Sequence, residues 1–434
     1  MPHAYESHAG WNESSSSTSN PHESWECPNR EESAMKALPD DPNRAASSGA
    51  WLRSRFLVLC AVASLATACG GSSSVVANPG SATDGQLSDV LETARAGHNV
   101  PAMAAMLIED GLIIEMAAVG TRVINQPEVV TTSDQWHVGS ITKSMTSTLA
   151  AVLIEQGVLD WDTTVADVLL GLVPDMRNEY RNVRIEQLMA HTSGLPEDIT
   201  LSPSFAAGDL SNASMIPMMD KRLMWTADLL RMAPQTAVGT HLYSNANYIV
   251  LGAILEQVTG EQWEDLMNRE LFAPLGMIDT GFGAPGMAGM RTQPWGHASV
   301  GGIWQPFDPG SIDADNTLAI GPAGTVHSTL RDFSAYIAAH LNGARGNDGL
   351  LLATSFARLH TPQPGTSYGG GWVVNTAGWA ATPAIWHNGS NGRWFAHTVI
   401  AKDRNAAVFV ATNSKGRAAV EDMINVMIRR FEAM

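Results

Sequence analysis

The stretch Trp136-His137-Val138-Gly139-Ser140-Ile141-Thr142-Lys143-Ser144 places two reactive side chains at the start of an amphipathic segment. Apolar residues then recur every three or four positions, at Met145, Leu149, Val152 and Leu153. This period is typical of a helix that packs against a core on one face, and Gly157 is a stop signal. The sequence therefore predicts a helix over residues 140–156 that carries a serine and a lysine in its first turn.

Ser140 and Lys143 are three positions apart, and side chains at this spacing lie on the same face of a helix. A serine in a first turn lies near unpaired N–H groups and the positive end of the helix dipole. Burial would lower the pKa of Lys143 and allow its amine to act as a base. The same pattern also occurs at Ser33 and Lys36, in a polar segment without an apolar period. A catalytic pair and an ordinary helix start with an exposed lysine therefore both remain open at this point.

Strand patterns occur before this helix and again near the end of the chain. Apolar runs at residues 103–108 and 112–119 are separated by Glu109-Asp110-Gly111, which predicts a hairpin. Two more strands are predicted at residues 396–401 and 407–412, and further helices at residues 87–96, 248–258, 263–272, 329–341 and 418–431. Because strands lie at both ends and the middle is mainly helical, we expect an α/β (α+β) fold. An antiparallel sheet flanked by helices would carry an inserted, mainly helical lobe.

The folded part is expected to be a single domain over residues 87–434. Its α/β part would cover about residues 87–160 and 305–434, and the helical lobe about residues 161–304. The 434-residue chain is 44% hydrophobic and carries a formal net charge of −17, without a run of Lys and Arg. This composition is typical of a globular enzyme and disfavours binding of nucleic acid. The three cysteines, at positions 27, 60 and 69, all precede the folded part, and no metal or organic cofactor is implied.

The N-terminus has the pattern of a targeting segment behind a polar leader. We expect residues 1–51 to be a disordered or wrongly assigned leader, and in the latter case translation would begin near Met35 or at Leu52. Residues 52–69 have the basic, apolar and small-residue parts of a signal peptide, and the small residues before Cys69 resemble a bacterial lipobox. The Gly, Ser and Ala content of residues 70–86 predicts a flexible linker. We expect a protein anchored to the cell envelope by a lipid on Cys69; soluble export and an uncleaved anchor are the alternatives.

Five segments, in this order, resemble a known family of serine hydrolases: class C β-lactamases, serine DD-peptidases and related esterases. The segment 136–144 is similar to the nucleophile segment of that family. The other four are Leu188-Met189-Ala190-His191-Thr192-Ser193-Gly194-Leu195, Tyr243-Ser244-Asn245, Pro322-Ala323-Gly324 followed by Ser328-Thr329, and His387-Asn388-Gly389-Ser390. The resemblance implies the β-lactamase/transpeptidase-like fold.

The resemblance also implies a role for each candidate site residue. Ser140 would attack a carbonyl and form an acyl-enzyme, and Lys143 would accept its proton. Tyr243 would pass a proton to the leaving group, and Asn245 would orient Lys143 and the acyl group.

The last of the five segments, residues 387–390, together with Ser140, supplies the remaining groups. The backbone N–H groups of Ser140 and Ser390 would hold the oxyanion, and Gly389 would allow the strand to approach the substrate closely. His387 would contact the leaving group, or a carboxylate when it is protonated.

The segment around His387 departs from the β-lactamase pattern, which has a lysine at this position. A mostly neutral imidazole binds a carboxylate less well than a fixed cation does. Trp394 and Phe395 add bulk beside the site. We therefore expect an esterase or DD-peptidase-like enzyme that acts on an ester or a D-amino-acid-type amide, including peptidoglycan-like substrates. A β-lactamase and a catalytically idle lipoprotein that binds the cell wall are the alternatives.

Four other features of the sequence have structural or functional interpretations. His191 is expected to be structural and to bond its own turn, and His297 is predicted to be a loop residue. Arg393 would contact a substrate carboxylate or make a structural pair. The methionines at positions 215, 218, 219, 224 and 232 would fill the core or form an adaptable wall for the acyl group.

Overall fold

The computed structural model describes residues 86–376 and 383–433. The leader, the signal peptide, Cys69 and nearly all of the linker lie outside these residues. The strands are β1 (Ala102–Glu109), β2 (Leu112–Gly120), β3 (Gln135–His137), β4 (Gly281–Phe282), β5 (Gly296–Val300), β6 (Ile303–Phe307), β7 (Val326–Thr329), β8 (Val373–Thr376), β9 (Pro383–Ser390), β10 (Phe395–Ala401) and β11 (Ala406–Thr412).

The helices alternate with these strands along the chain. They are α1 (Gln86–Gly97), α2 (Thr142–Glu155), α3 (Val165–Leu169), α4 (Asn178–Arg181), α5 (Ile185–Met189), α6 (Pro203–Ala206), α7 (Met218–Arg231), α8 (Asn245–Thr259), α9 (Trp263–Leu266), α10 (Ala273–Leu275), α11 (Gly321–Gly324), α12 (Leu330–Ala344), α13 (Ala353–Leu359) and α14 (Arg417–Ala433). None of the helices within residues 86–376 and 383–433 is both long enough and apolar enough to cross a membrane.

The main sheet joins distant parts of the chain, as the sequence predicts. Its strand order is β2-β1-β11-β10-β9-β8, and each neighbouring pair is antiparallel. Asp110 and Gly111 both have positive φ angles, of 51° and 75°, at the turn between β1 and β2. This backbone matches the twist of the two strands and explains why Asp-Gly predicts a hairpin there.

Strand β1 is buried on both faces because the sheet lies between two layers of helices. Met103, Ala105 and Leu107 pack into the core that contains α1 and α14. Ala104, Met106 and Ile108 point to the opposite face and join the larger core with α2, α8 and α12. This alternation follows from the two-residue period of a strand. The larger core also holds the N-terminal end of α2 in a fixed position.

The region predicted as the mainly helical lobe also contains short strands near its C-terminal end. The lobe was expected to extend to residue 304, but β4 and β5 lie before that position and β5 pairs with β6 in a two-stranded sheet. Strand β4 joins β3 and β7 in a separate three-stranded sheet. Strands this short have too weak an apolar alternation to be recognised in the sequence. His297 accordingly lies in β5 and not in a loop.

Candidate active site

Ser140 lies in a tight turn between β3 and α2. The turn, Gly139–Ile141, is a 3₁₀ turn, so the α-helix begins at Thr142 and not at Ser140 as predicted. Gly139 has a φ angle of 53°, and a Cβ atom at this position would overlap the backbone nitrogen of Ser390. Glycine satisfies both conditions because it lacks a side chain. The turn therefore presents the Ser140 hydroxyl next to the end of β9.

Lys143 is fully buried, and its amine contacts Ser140. The Nζ atom lies 3.0 Å from Ser140 Oγ, 2.7 Å from Asn245 Oδ1 and 2.7 Å from the carbonyl oxygen of Ala323. Burial lowers the pKa of Lys143 well below its usual value, because removal of water disfavours the charged amine. The structure thus brings together the serine, the lysine and the asparagine that the sequence singles out.

Tyr243 and Asn245 are positioned by the start of α8. The Ser244 hydroxyl caps this helix by accepting a hydrogen bond from the backbone N–H of Ala246, at 3.0 Å. The Tyr243 ring centre lies 5.0 Å from Lys143 Nζ. Desolvation raises the pKa of Tyr243, and a side-chain hydrogen bond with Ser140 acts in the opposite direction. The phenol therefore stays protonated at neutral pH and faces the same hydroxyl as Lys143.

His191 supports the Tyr243 segment instead of bonding only within its own turn. Its Nδ1 atom accepts hydrogen bonds from the backbone N–H of Ser244, at 3.3 Å, and from Asn247 Nδ2, at 3.2 Å. Its ring centre lies 4.3 Å from that of Tyr243. Burial is the largest of the causes that hold the pKa of His191 well below its usual value. The neutral imidazole thus links two segments that are about fifty residues apart in the sequence.

The end of β9 approaches the nucleophile turn very closely. A Cβ atom at Gly389 would overlap the carbonyl oxygen of Val138 and the backbone nitrogen of Ser140. The glycine is therefore required by contact between two backbones, whereas the sequence suggested that it makes room for the substrate. This contact brings the backbone nitrogens of Ser140 and Ser390 close to each other.

The Gly389→Ala substitution tests the importance of this contact. The added methyl group has to push β9 away from the turn, and we expect kcat for a nitrophenyl ester to fall by about 10²-fold, the effect typical of losing one oxyanion donor. Gly171→Ala is the matched control, because a Cβ atom there meets nothing within 4 Å. Equal kcat values for Gly389→Ala and the wild type would refute the need for close approach.

His387 is neutral and is already satisfied by neighbouring groups. Its Nε2 atom accepts a hydrogen bond from the hydroxyl of Tyr368, at 2.8 Å, and its Nδ1 atom bonds the carbonyl oxygen of Asn388. Burial is the largest cause that lowers the pKa of His387, to about 3. The imidazole therefore does not become a cation for a substrate carboxylate in the ordinary pH range. Protonation of His387, which the sequence leaves open, is excluded by its burial.

Tyr368 is a site residue that the sequence analysis missed. It is buried, and its ring lies 4.8 Å from that of His191 and 6.2 Å from that of Tyr243. The signal in the sequence is the run Gly369-Gly370-Gly371 that follows it. A Cβ atom at Gly371 would overlap the backbone of Ser144, so the run marks another close backbone approach.

A cavity of about 660 Å³ leads to this group of residues and includes Asn245 and Ser390 in its walls. Its apolar lining residues are Ile199, Phe205, Leu210, Trp225, Ile312 and Ile320. None of the five methionines between positions 215 and 232 lines it, and Met215 is 96% exposed. The hypothesis of a methionine wall for the acyl group is therefore wrong.

Arg393 and His297 both serve structural contacts next to the site. The Arg393 guanidinium stacks on the ring of Phe307, 3.9 Å from its centre, and the residue does not line the cavity. His297 accepts a hydrogen bond from the backbone N–H of Ile124 at 3.1 Å, and its Nδ1 atom lies 2.8 Å from the carbonyl oxygen of Asn413. Burial lowers the pKa of His297 to about 4. Neither residue is placed to contact a substrate in the cavity.

The fold and this geometry define the class of the protein. A serine and a buried lysine at the start of a helix face a tyrosine and the end of an antiparallel strand, as in serine hydrolases that use a Ser-x-x-Lys pair. The family described as Beta-lactamase matches residues 87–429. The chain belongs to this family of serine hydrolases.

Individual relatives agree with the family assignment. The chain is 29% identical over 330 residues to penicillin-binding protein 4 of Amycolatopsis lactamdurans, with 74% of this chain and 82% of the relative covered. It is 24% identical to a putative D-alanyl-D-alanine carboxypeptidase of Escherichia coli K12, covering 74% and 80%. The octameric penicillin-binding protein homologue of Pyrococcus abyssi has a similar structure, with a TM-score of 0.63, 20% identity, and coverage of 79% and 77%. These similarities confirm the β-lactamase/transpeptidase-like fold.

Proposed function

We propose that the protein hydrolyses an ester or a D-amino-acid-type amide through an acyl-enzyme on Ser140. The observation that carries the proposal is the set of three contacts of the Lys143 amine. Two of these contacts, Asn245 Oδ1 and the Ala323 carbonyl, are oxygen atoms that only accept hydrogen bonds. A neutral amine has two N–H groups and one lone pair. With both N–H groups donated to these oxygens, the lone pair is directed to the Ser140 hydroxyl.

This arrangement supports Lys143 as the general base. Proton transfer from Ser140 Oγ to Lys143 Nζ leaves the ammonium with three donors for its three oxygen neighbours. The alkoxide then attacks the carbonyl carbon, and the developing oxyanion is held by the backbone N–H groups of Ser140 and Ser390. In the next step Tyr243 passes a proton to the leaving group and regains a proton from the Lys143 ammonium, so that both side chains return to their neutral forms. Water completes the cycle by releasing the acyl group from Ser140.

The charge of the cavity favours esters and amides over β-lactams. Glu197 and Asp198 line it, and no lysine, arginine or histidine does so among the described residues. Penicillins carry a carboxylate next to the bond that is broken, as do peptides that end in D-Ala-D-Ala, and carboxylates repel one another, so the charge of the cavity favours esters and uncharged amides over both. Because His387 is neutral, the cleft gains no cation from that residue. The names of the carboxypeptidase and penicillin-binding relatives support a D-amino-acid substrate.

The proposed function is tested by labelling and by turnover. The purified chain should react with a fluorophosphonate and hydrolyse nitrophenyl esters or D-Ala-D-Ala peptides faster than nitrocefin. A chain that reacts with none of these compounds but binds peptidoglycan fragments would support the idle lipoprotein. Faster hydrolysis of nitrocefin than of every ester and peptide would support a β-lactamase.

The His387→Lys substitution tests what keeps β-lactamase activity low. The longer lysine side chain can carry its charged amine from this buried position into the cleft, so acylation by penicillin should rise about tenfold relative to hydrolysis of a nitrophenyl ester, or about 1.4 kcal/mol. The gain is modest because an ion contact in a wet cleft is screened. Tyr368→Phe is the control, since it removes the hydroxyl that contacts His387 and adds no charge. A ratio that stays constant or falls in His387→Lys would show that residue 387 does not set the substrate class.

We also propose that Cys69 is lipidated and holds the enzyme at the cell envelope. The support is the order of basic, apolar and small residues over positions 52–69. In a bacterial host, labelled palmitate should enter the wild-type chain and not the Cys69→Ser variant. Equal labelling of both would refute the anchor.

A further inference from the structure

A continuous series of buried hydrogen bonds joins the nucleophile turn to the end of β9. His137 Nδ1 accepts a hydrogen bond from the backbone N–H of Gly139, at 3.1 Å. His137 Nε2 lies 2.8 Å from Asp315 Oδ2, and Asn391 Nδ2 donates to Asp315 Oδ1, at 2.8 Å. Asn391 Oδ1 in turn accepts from the backbone N–H groups of Arg393 and Trp394, at 3.0 and 3.1 Å. We call this series the Asp315 bridge.

Each group in the Asp315 bridge has a fixed donor or acceptor role. Because the Gly139 N–H needs an acceptor, His137 Nδ1 carries no proton, and its Nε2–H donates to the carboxylate. The side chain of His137 is fully buried and that of Asp315 is 5% exposed. Only a carboxylate at position 315 can accept from the imidazole with one oxygen and from the Asn391 amide with the other. An amide there would turn one acceptor into a donor.

The two ends of the bridge are the two sides of the proposed oxyanion hole. Gly139 directly precedes Ser140, and Asn391 directly follows Ser390. A mutual shift of these backbones changes the distance between the N–H groups that hold the oxyanion. Such a shift lowers the rate, because preorganised N–H donors stabilise the oxyanion only when they point at it.

We propose that Asp315 is a positioning residue that sets the geometry of the oxyanion hole through His137 and Asn391. The inference rests on the proposed function. Asp315 does not contact the substrate cavity itself, but its neighbours Ile312, Asn316 and Thr317 line it. A substrate acyl group that packs against these neighbours therefore presses on the segment that holds the two donors. Occupation of the cavity and alignment of the oxyanion hole are thus coupled through residues 312–317.

The Asp315→Asn substitution removes one acceptor and keeps the shape of the side chain. We expect kcat for a nitrophenyl ester to fall roughly tenfold to a hundredfold, with KM changing less than about twofold, because the loss concerns the transition state. The affinity for a phenylboronic acid, whose adduct on Ser140 places a hydroxyl in the oxyanion hole, should fall by a similar factor. A role confined to loop stability would not separate kcat from KM in this way.

Exchanging the carboxylate at position 315 with the amide at position 391 gives an independent test of the bridge. In the double variant Asp315→Asn with Asn391→Asp, the His137 imidazole donates to the amide oxygen at position 315. The amide N–H at position 315 donates to the carboxylate at position 391, and that carboxylate accepts from the backbone N–H groups of residues 393 and 394. We expect this double variant to recover part of the lost kcat, because the backbone N–H of Asn316, which donates to Asp315 Oδ1 at 2.7 Å, stays without an acceptor. The matched control is Asp308→Asn, in which the lost acceptors serve only the backbone N–H groups of Gly289 and Gly310.

The outcomes separate this inference from the proposed function. Wild-type kcat in Asp315→Asn, or an equal loss in Asp308→Asn, or no recovery in the double variant, would overturn the positioning role while the enzyme remains a hydrolase. Lack of turnover by the unmodified chain with every ester and peptide would overturn the proposed function and this inference together.

Discussion

The Ser140→Ala variant is expected to lose ester hydrolysis by a factor of about 10⁴ or more, because the attacking oxygen is removed. A small rate above water should remain, since the oxyanion hole and the cavity still bind the substrate. The hydroxyl contributes no cap to α2, and the Lys143 amine keeps its contacts with Asn245 and Ala323. The midpoint of thermal unfolding should therefore change by only a few degrees. Steady-state kinetics and circular dichroism measure the two effects.

The chain contains its own matched control for this experiment. Ser33 is followed three residues later by Lys36, so it has the same local pattern as Ser140. In the full-length, unprocessed chain, Ser33→Ala is expected to keep wild-type kcat and wild-type labelling by a fluorophosphonate. Retention of activity in Ser140→Ala would show that the nucleophile has been assigned wrongly.

The Lys143→Met variant is expected to acylate about 10³-fold more slowly, within the range typical of a proton-transfer group. Methionine keeps most of the volume in the buried site and removes the amine. The wild-type rate should increase with pH as Lys143 loses its proton. At pH values below the pKa of the amine the rate should be low, because only the neutral amine accepts a proton. Since burial lowers this pKa well below its usual value, the rise in rate should come at a lower pH than for an ordinary lysine. The variant should lack this dependence.

The measurement is the rate of fluorophosphonate labelling between about pH 5 and pH 10, on both sides of neutral pH. Lys221→Met is the matched control, because Lys221 is also buried and burial lowers its pKa. Its amine donates to the carbonyl oxygens of Ser211 and Ser214 and has no bond to Ser140. The control should keep the pH dependence of the wild type. A Lys143→Met variant with the same pH dependence would assign the base to another group.

The amino-acid sequence by itself determined the parts of this protein that depend on neighbours along the chain. The three-residue spacing of Ser140 and Lys143, the apolar period of α2 and the Asp110-Gly111 turn are local features, and the structure shows each of them. The order of five short motifs was enough to predict the family and its fold, both of which the comparisons confirm. The predicted alternation of strands at both ends with helices between them also corresponds to the observed main sheet.

Only the tertiary structure decided the properties that depend on burial and on contacts between distant residues. The protonation state of His387 follows from desolvation by groups such as Tyr368, which no local pattern announces. The Asp315 bridge joins residues nearly 180 positions apart, and each of its hydrogen bonds exists only after the main-chain segments have packed. The stacking of Arg393 on Phe307 likewise exists only after the two segments have packed. Spacing along a chain fixes which face of a helix or strand a side chain occupies, but desolvation and long-range pairing set its charge and its chemistry.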